Sequence, residues 1–198
     1  MPHYLDALAA SPWVLAVVFV VSGLDALLPF MPSESTVVAC GVAAAGTGRP
    51  SVTLLIAAAA TGAYAGDQIS FRIGRRNTES VAARLTHRRV QAVHDWVHRL
   101  LHSRGGLVIV FARYVPGGRS TTALAAGIVG YPVVRFHWYT AAGVTLWAIE
   151  ATLLGYLGGS LFAGHPVLGF LVACALALAI TGLAISVQRW AKVRENAP

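Results

Sequence analysis

The chain of 198 residues is 56% apolar and only 12% charged, about half the charged fraction of an ordinary soluble domain. Its net charge of +7 does not mark a nucleic-acid surface. Of its 15 basic residues, 8 fall within Arg72–Arg104 and three more are Arg189, Lys192 and Arg194, as the positive-inside rule expects of cytoplasmic segments.

The N-terminus lacks the basic region and small-residue cleavage site of a signal peptide, so the first apolar run is expected to be retained. Residues 13–30 form that run and 33–46 a second, separated by a break that contains Pro29 and Pro32. By length, 13–46 fits a hairpin that enters and leaves the membrane on one side. Gly46–Pro50 reads as a turn, and 52–71 as a full span. Residues 78–104 are polar, with Val81, Leu85, Val93, Val97 and Leu100 forming an apolar stripe near helical spacing. That pattern predicts an amphipathic helix on the inner membrane face. A second hairpin is expected over 106–130, interrupted at Pro116-Gly-Gly-Arg119, and full spans over 136–158 and 166–187. The expected architecture is a single all-α membrane domain over 1–198, a polytopic helical bundle with two opposed re-entrant hairpins.

The two breaks resemble one another. Glu34-Ser-Thr-Val-Val-Ala-Cys-Gly follows the first, and Arg119-Ser-Thr-Thr-Ala-Leu-Ala-Ala-Gly follows the second. Each is preceded by an apolar run and followed by small residues and then a span. This points to an inverted repeat, and interrupted segments in corresponding positions of two inverted halves point to a transporter binding site.

Six ionisable residues lie in or beside apolar runs: Asp25, Glu34, Asp67, Arg113, Arg119 and Glu150. Charges at bilayer depth cost about 3 kcal/mol each even on lenient insertion scales. Broken helices survive there only when buried in protein or lining a wet cavity. Four of the six flank the breaks, so Asp25 and Glu34 are expected to face Arg113 and Arg119 across a polar site. Asp67, followed by Arg72, Arg75 and Arg76, fits a juxtamembrane ion pair and a coupling role about equally. Glu150 fits a helix contact or an interface residue. His94, His98 and His102 share a helical face with His87 nearby, but no cysteine or carboxylate completes a ligand set. Cys40 and Cys174 lie in apolar runs and suggest neither a disulfide nor a metal site. No cofactor or metal is expected. Trp13, Trp138, Trp147 and Trp190 read as interfacial anchors.

Asp25-x₃-Pro29-x₂-Pro-Ser-Glu34, Gly66-Asp67 with Gly74-Arg75, Phe111-x-Arg113-x₂-Pro116-Gly-x-Arg119, Ala126-Gly127 and Trp147…Gly155-Tyr156 together resemble the bacterial DedA family. That family shares its domain with the eukaryotic VTT lipid scramblases. The resemblance runs from about residue 20 to 160. It implies two facing re-entrant hairpins, a multi-pass protein of the bacterial inner membrane, and transport of lipid phosphates. The implied cargo is undecaprenyl phosphate or a related polyprenyl carrier, with proton coupling. It also implies essential acids at Asp25 and Glu34 and essential arginines at Arg113 and Arg119. Asp25 stands where the family more often has Glu, a reach shorter by one methylene.

The residues themselves suit a phosphate. Arginine offers a planar bidentate fork that keeps its charge. Backbone N–H groups at Gly118, Arg119, Ser120 and Thr121 would begin a half-helix and add an anion site. Protonation of Asp25 or Glu34 would release an arginine to the ligand, with Asp67 as a further coupling candidate. The partners expected are therefore a polyprenyl phosphate or phospholipid, membrane lipids and protons, with homo-oligomerisation left open and no nucleic acid. A proton-coupled exporter of small cations or drugs and a phospholipid scramblase remain alternatives. A lipid-phosphate enzyme would need a nucleophile and base or clustered acids for a metal, and neither pattern is present.

Overall fold

In a computed structural model the described residues are 13–28, 32–78, 99–101, 103, 106–114, 118–162 and, in the last apolar run, 167–168, 170–172, 174–176, 179 and 182. The expected amphipathic segment 78–104 and span 166–187 therefore lie largely outside them, as do residues 29–31 and 115–117 within the two breaks. Five α-helices are described in full: α1 Trp13–Leu24, α2 Ser33–Thr47, α3 Val52–Arg76, α4 Gly118–Ile128 and α5 Val133–Leu161. A helical segment at 106–111 runs into a 3₁₀ turn, Ala112–Tyr114, ahead of α4. No strand occurs among the described residues.

Local chemistry sets the boundaries. After Leu24 the chain tightens into turns, with the Ala26 N–H donating to Gly23 O and the Leu27 N–H to Leu24 O. Pro32 caps α2, where its missing donor costs nothing, and its carbonyl accepts from both the backbone N–H and the hydroxyl of Thr36. Gly48 closes α2 at φ 70°, its N–H donating to Ala44 O, in the left-handed conformation that favours glycine. Helix α3 runs to Arg76, beyond the expected end at 71, because the arginines can reach water while their backbone stays helical. Helix α5 likewise extends past 136–158 at both ends, starting directly after Pro132.

At 1.5 Å per residue, α3 and α5 are roughly 37 and 43 Å long, whereas α1, α2 and α4 reach only roughly 18, 22 and 16 Å. Among the helices described in full, a hydrocarbon core of about 30 Å is thus matched by the two long ones alone. Of these, α5 is the one described helix that is both long and apolar enough to cross a membrane; α3 carries Asp67, Arg72, Arg75 and Arg76.

The short helices pack on the long ones at backbone distance. Helix α1 lies on α3, where a Cβ on Gly62 or Gly66 would strike the carbonyls of Phe19 and Gly23. Helix α4 lies on the far end of α3, with Gly127 against Phe71 and Gly74 against Leu124. Helix α2 lies instead on α5, with Gly155 and Gly159 against the carbonyls of Val38 and Val42. Small residues four apart let helix backbones approach in this way where no hydrophobic drive holds them together.

Two apolar clusters flank a polar layer. One gathers Val18, Val37, Val38, Leu55, Ala59, Ala148 and Ala151. The other gathers Phe71, Leu101, Ile109, Ala123, Ala126, Tyr131 and Phe136, with Phe71 and Phe136 stacked at 4.2 Å. Along α3, Asp67 falls between Ala59 of the first and Phe71 of the second. The outer faces are apolar too: Val17, Leu54, Ile73, Leu146, Leu153 and Leu157 are all exposed, a surface suited to lipid.

Candidate functional site

The polar layer is centred on Asp67, whose side chain is only 3% exposed. Its Oδ2 accepts from Arg113 Nη1 at 2.5 Å and its Oδ1 from Arg119 Nε at 2.7 Å. One carboxylate thus bridges the two arginines from the second break. Helix α3 delivers it, the 3₁₀ turn delivers Arg113, and the first turn of α4 delivers Arg119. The small residues at the α1–α3 and α3–α4 contacts bring these three elements close enough for a short aspartate to reach both partners.

Arg119 reaches further. Its Nη1 donates to Asp25 Oδ2 at 3.2 Å, and its Nη2 donates to the carbonyls of Ser22 at 2.9 Å and Ala63 at 3.1 Å. Asp25 is held in turn by the Ser33 hydroxyl at 2.8 Å, and the Ser120 hydroxyl donates to the Asp25 carbonyl. These bonds tie the two breaks together: Asp25 and Ser33 flank the first, and Arg119 and Ser120 follow the second. Gly118 opens α4 beside them, its carbonyl accepting from the Thr121 hydroxyl.

Arg113 is seated differently. Its side chain is 3% exposed and lies along Gly143 of α5, where an added Cβ would sit 3.2 Å from Arg113 Cδ. Among the described residues its Nε and Nη2 have no hydrogen-bond partner. The Trp147 ring, one helical turn beyond Gly143, stands 5.9 Å from the Arg113 guanidinium and 6.0 Å from that of Arg119, within cation–π range.

Glu34 does not join the arginines. It is exposed in the first turn of α2, and the charges acting on it are the carboxylates of Glu150 and Asp25. Glu150 accepts a hydrogen bond from the Tyr114 hydroxyl at 2.6 Å, so it is a helix-to-turn contact beside Arg113.

Of the residues singled out in the sequence, the structure brings together Asp25, Asp67, Arg113, Arg119 and Ser120. Trp147 is not an interfacial anchor but a wall of the charged cluster. Its place mid-way along α5, far from either helix end, was the signal available in the sequence. Trp13 and Trp138, near helix starts, are 76% and 72% exposed, whereas Trp190 lies outside the described residues. His137, which composition gave no reason to single out, bonds the Tyr64 hydroxyl between α3 and α5. The histidine stripe at 87–102 lies outside the described residues, and among those described no group of histidine, cysteine or carboxylates could hold a metal.

Comparison with known proteins gives a consistent picture. A VTT domain matches residues 28–157. The chain is 28% identical over 194 residues to an uncharacterized membrane protein of Mycobacterium tuberculosis, covering 96% of this chain and 84% of the relative. It is 27% identical to Protein DedA of Escherichia coli, covering 75% and 70%. It is 32% identical to the inner membrane protein YqjA of Escherichia coli, covering 72% and 66%. No solved structure matches the chain.

Proposed function

Because the chain belongs to the DedA family of VTT-domain membrane proteins, we propose that it carries a lipid phosphate across a bacterial inner membrane, with a polyprenyl phosphate as cargo. The observation that carries this reading is the Asp67 bridge: two buried guanidiniums held by one carboxylate at the junction of two helix breaks. A carboxylate held at depth between two guanidiniums supports a site for anionic oxygens, the chemistry a phosphate would offer.

The re-entrant arrangement belongs to the same proposal. Helices α1, α2 and α4 are too short to span, which supports hairpins that enter and leave the membrane on one side. The long helix of each half carries the short helix of the other, α2 on α5 and α4 on α3. That exchange is what an inverted repeat with interlocked halves would produce.

Charge balance supports a coupled proton. Asp25, Asp67, Arg113 and Arg119 cancel one another. A phosphate monoester adds roughly −1.5 to −2 at neutral pH, and an unbalanced charge in a water-poor cluster is costly. A proton taken up by Asp67 or Asp25 would offset it, and at Asp67 it would loosen Arg113 in the same step. For Glu34, near Glu150 and away from the arginines, the role that accompanies this reading is to pass protons rather than to hold an arginine.

The test is flipping of a fluorescent polyprenyl phosphate in liposomes that contain this protein alone. Arg113→Lys keeps the charge and loses the fork, and Arg119→Lys loses the bonds that hold α4 to the first half, so both are expected to abolish most of the transport while still inserting. Equal flipping of a phosphatidylcholine probe would replace the reading by general scrambling, and wild-type rates in both variants would overturn it.

A further inference from the structure

The two arginines are not equivalent, and their difference deepens the phosphate reading on which this inference rests. Every guanidinium nitrogen of Arg119 is engaged: Nε with Asp67, Nη1 with Asp25, and Nη2 with the carbonyls of Ser22 and Ala63. Its partners come from α1, the turn after α1, and α3. Arg119 therefore pins α4 and the second break to the first half of the molecule. Arg113 is deeper, at 3% exposure against 9% for Arg119, yet Asp67 is its sole hydrogen-bond acceptor among the described residues, and it uses Nη1 alone.

We infer that Arg113 is the arginine that takes the phosphate, through its Nε–Nη2 edge, whereas Arg119 is a latch that stays paired throughout. The edge formed by Nε and one Nη is one of the two parallel-donor faces of the guanidinium that match two oxygens of a phosphate. In Arg113 that face is buried and unfilled, and buried donors left without acceptors are destabilising until a ligand supplies them. In Arg119 the corresponding donors already serve two backbone carbonyls and a carboxylate, so recruiting them would unpair three groups at once. Gly143 gives Arg113 its seat. An alanine there would press on Arg113 Cδ at 3.2 Å while meeting the Val110 backbone at an ordinary 3.4 Å, and none of the groups that hold Arg119 is among its nearest neighbours.

The experiment titrates geranyl monophosphate, and separately inorganic phosphate, into the full chain in nanodiscs, and records a melting curve for each variant. Arg113→Lys is expected to weaken geranyl phosphate binding by roughly tenfold or more, because the two-donor face is gone, with the melting temperature close to that of the wild type. Gly143→Ala should weaken binding in the same direction at unchanged melting. Arg119→Lys should lower the melting temperature and, below it, leave affinity within about threefold of wild type, because a latch acts on the scaffold and not on the ligand. Loss of affinity in Arg119→Lys at normal melting would overturn the assignment. So would an Arg113→Lys variant that melts early, or one that binds as tightly as the wild type. Should Arg119→Lys not be recoverable as folded protein, Arg113→Lys and Gly143→Ala decide on their own, since both must lose affinity while melting normally. Binding of geranyl phosphate without inorganic phosphate assigns the site to a lipid, and equal binding of both assigns it to the phosphate group alone. A wild-type protein that binds neither would remove the lipid-phosphate reading itself, and this inference with it.

Discussion

Replacing Asp67 with asparagine removes one charge and leaves the volume unchanged, so its effect isolates the ion pairs. The carboxylate accepts from two guanidiniums at 2.5 and 2.7 Å and is 3% exposed, so solvent screens neither bond. An amide can accept through its oxygen from one arginine but turns an NH₂ toward the other. Arg119 retains Asp25, Ser22 O and Ala63 O, whereas Arg113 loses its described acceptor. Breaking a buried pair by removing one partner destabilises by about 3–5 kcal/mol. For a chain of this size that lowers the melting temperature by on the order of 10 °C. The same change at Asp25, 21% exposed and bonded to one arginine at 3.2 Å, should lower it by less than half as much. Glu34→Gln should leave melting unchanged, since no arginine depends on Glu34, while net transport and its pH dependence are lost if Glu34 passes protons. Melting curves of the three purified variants, with and without geranyl phosphate, check the ranking. A Glu34→Gln protein that melts earlier than Asp67→Asn, or an Asp67→Asn protein as stable as the wild type, would refute the central role given to Asp67.

Gly155→Ala should reduce folded yield sharply, because its Cβ would meet the Val38 backbone, which cannot rotate away as a side chain could. Gly46→Ala, exposed in α2 with nothing within 4 Å, should be neutral or stabilising by up to about 1 kcal/mol; size-exclusion profiles and melting curves of the two proteins check the contrast. For topology, in a chain with Cys40 and Cys174 replaced, Ser51→Cys should react with an impermeant maleimide in intact cells and Asn77→Cys only after permeabilisation, as the arginines near Asn77 require. The reverse labelling would invert the proposed orientation.

Hydrophobic run length and proline position were enough to place α1, α2, α3, α4 and α5 in the sequence, because a bilayer demands long apolar stretches and a proline interrupts the backbone ladder regardless of what lies nearby. The rule against unpaired charge at depth also made Asp25, Arg113 and Arg119 legible as one site, since no other feature of the chain accounts for charges beside both breaks. Partner choice was not legible in the same way. Asp67 sits four residues from the end of the apolar stretch 52–71 and is followed by arginines in sequence, so a local reading pairs it with Arg72 or Arg75. A helix places those side chains on other faces, and in the folded chain Asp67 turns inward to Arg113 and Arg119, 46 and 52 residues away. Trp147 was misread for a related reason: composition says that tryptophan favours interfaces, but only the packing of α5 against the second break sets its ring beside two guanidiniums. Glu34 and Arg119 hold matching places in the two similar stretches that follow the breaks, yet one is exposed and the other pinned by four oxygen-bearing groups. Sequence similarity fixes where a residue sits on its helix, and which surfaces meet that helix is decided by the backbone contacts that glycines such as Gly62, Gly127 and Gly155 permit.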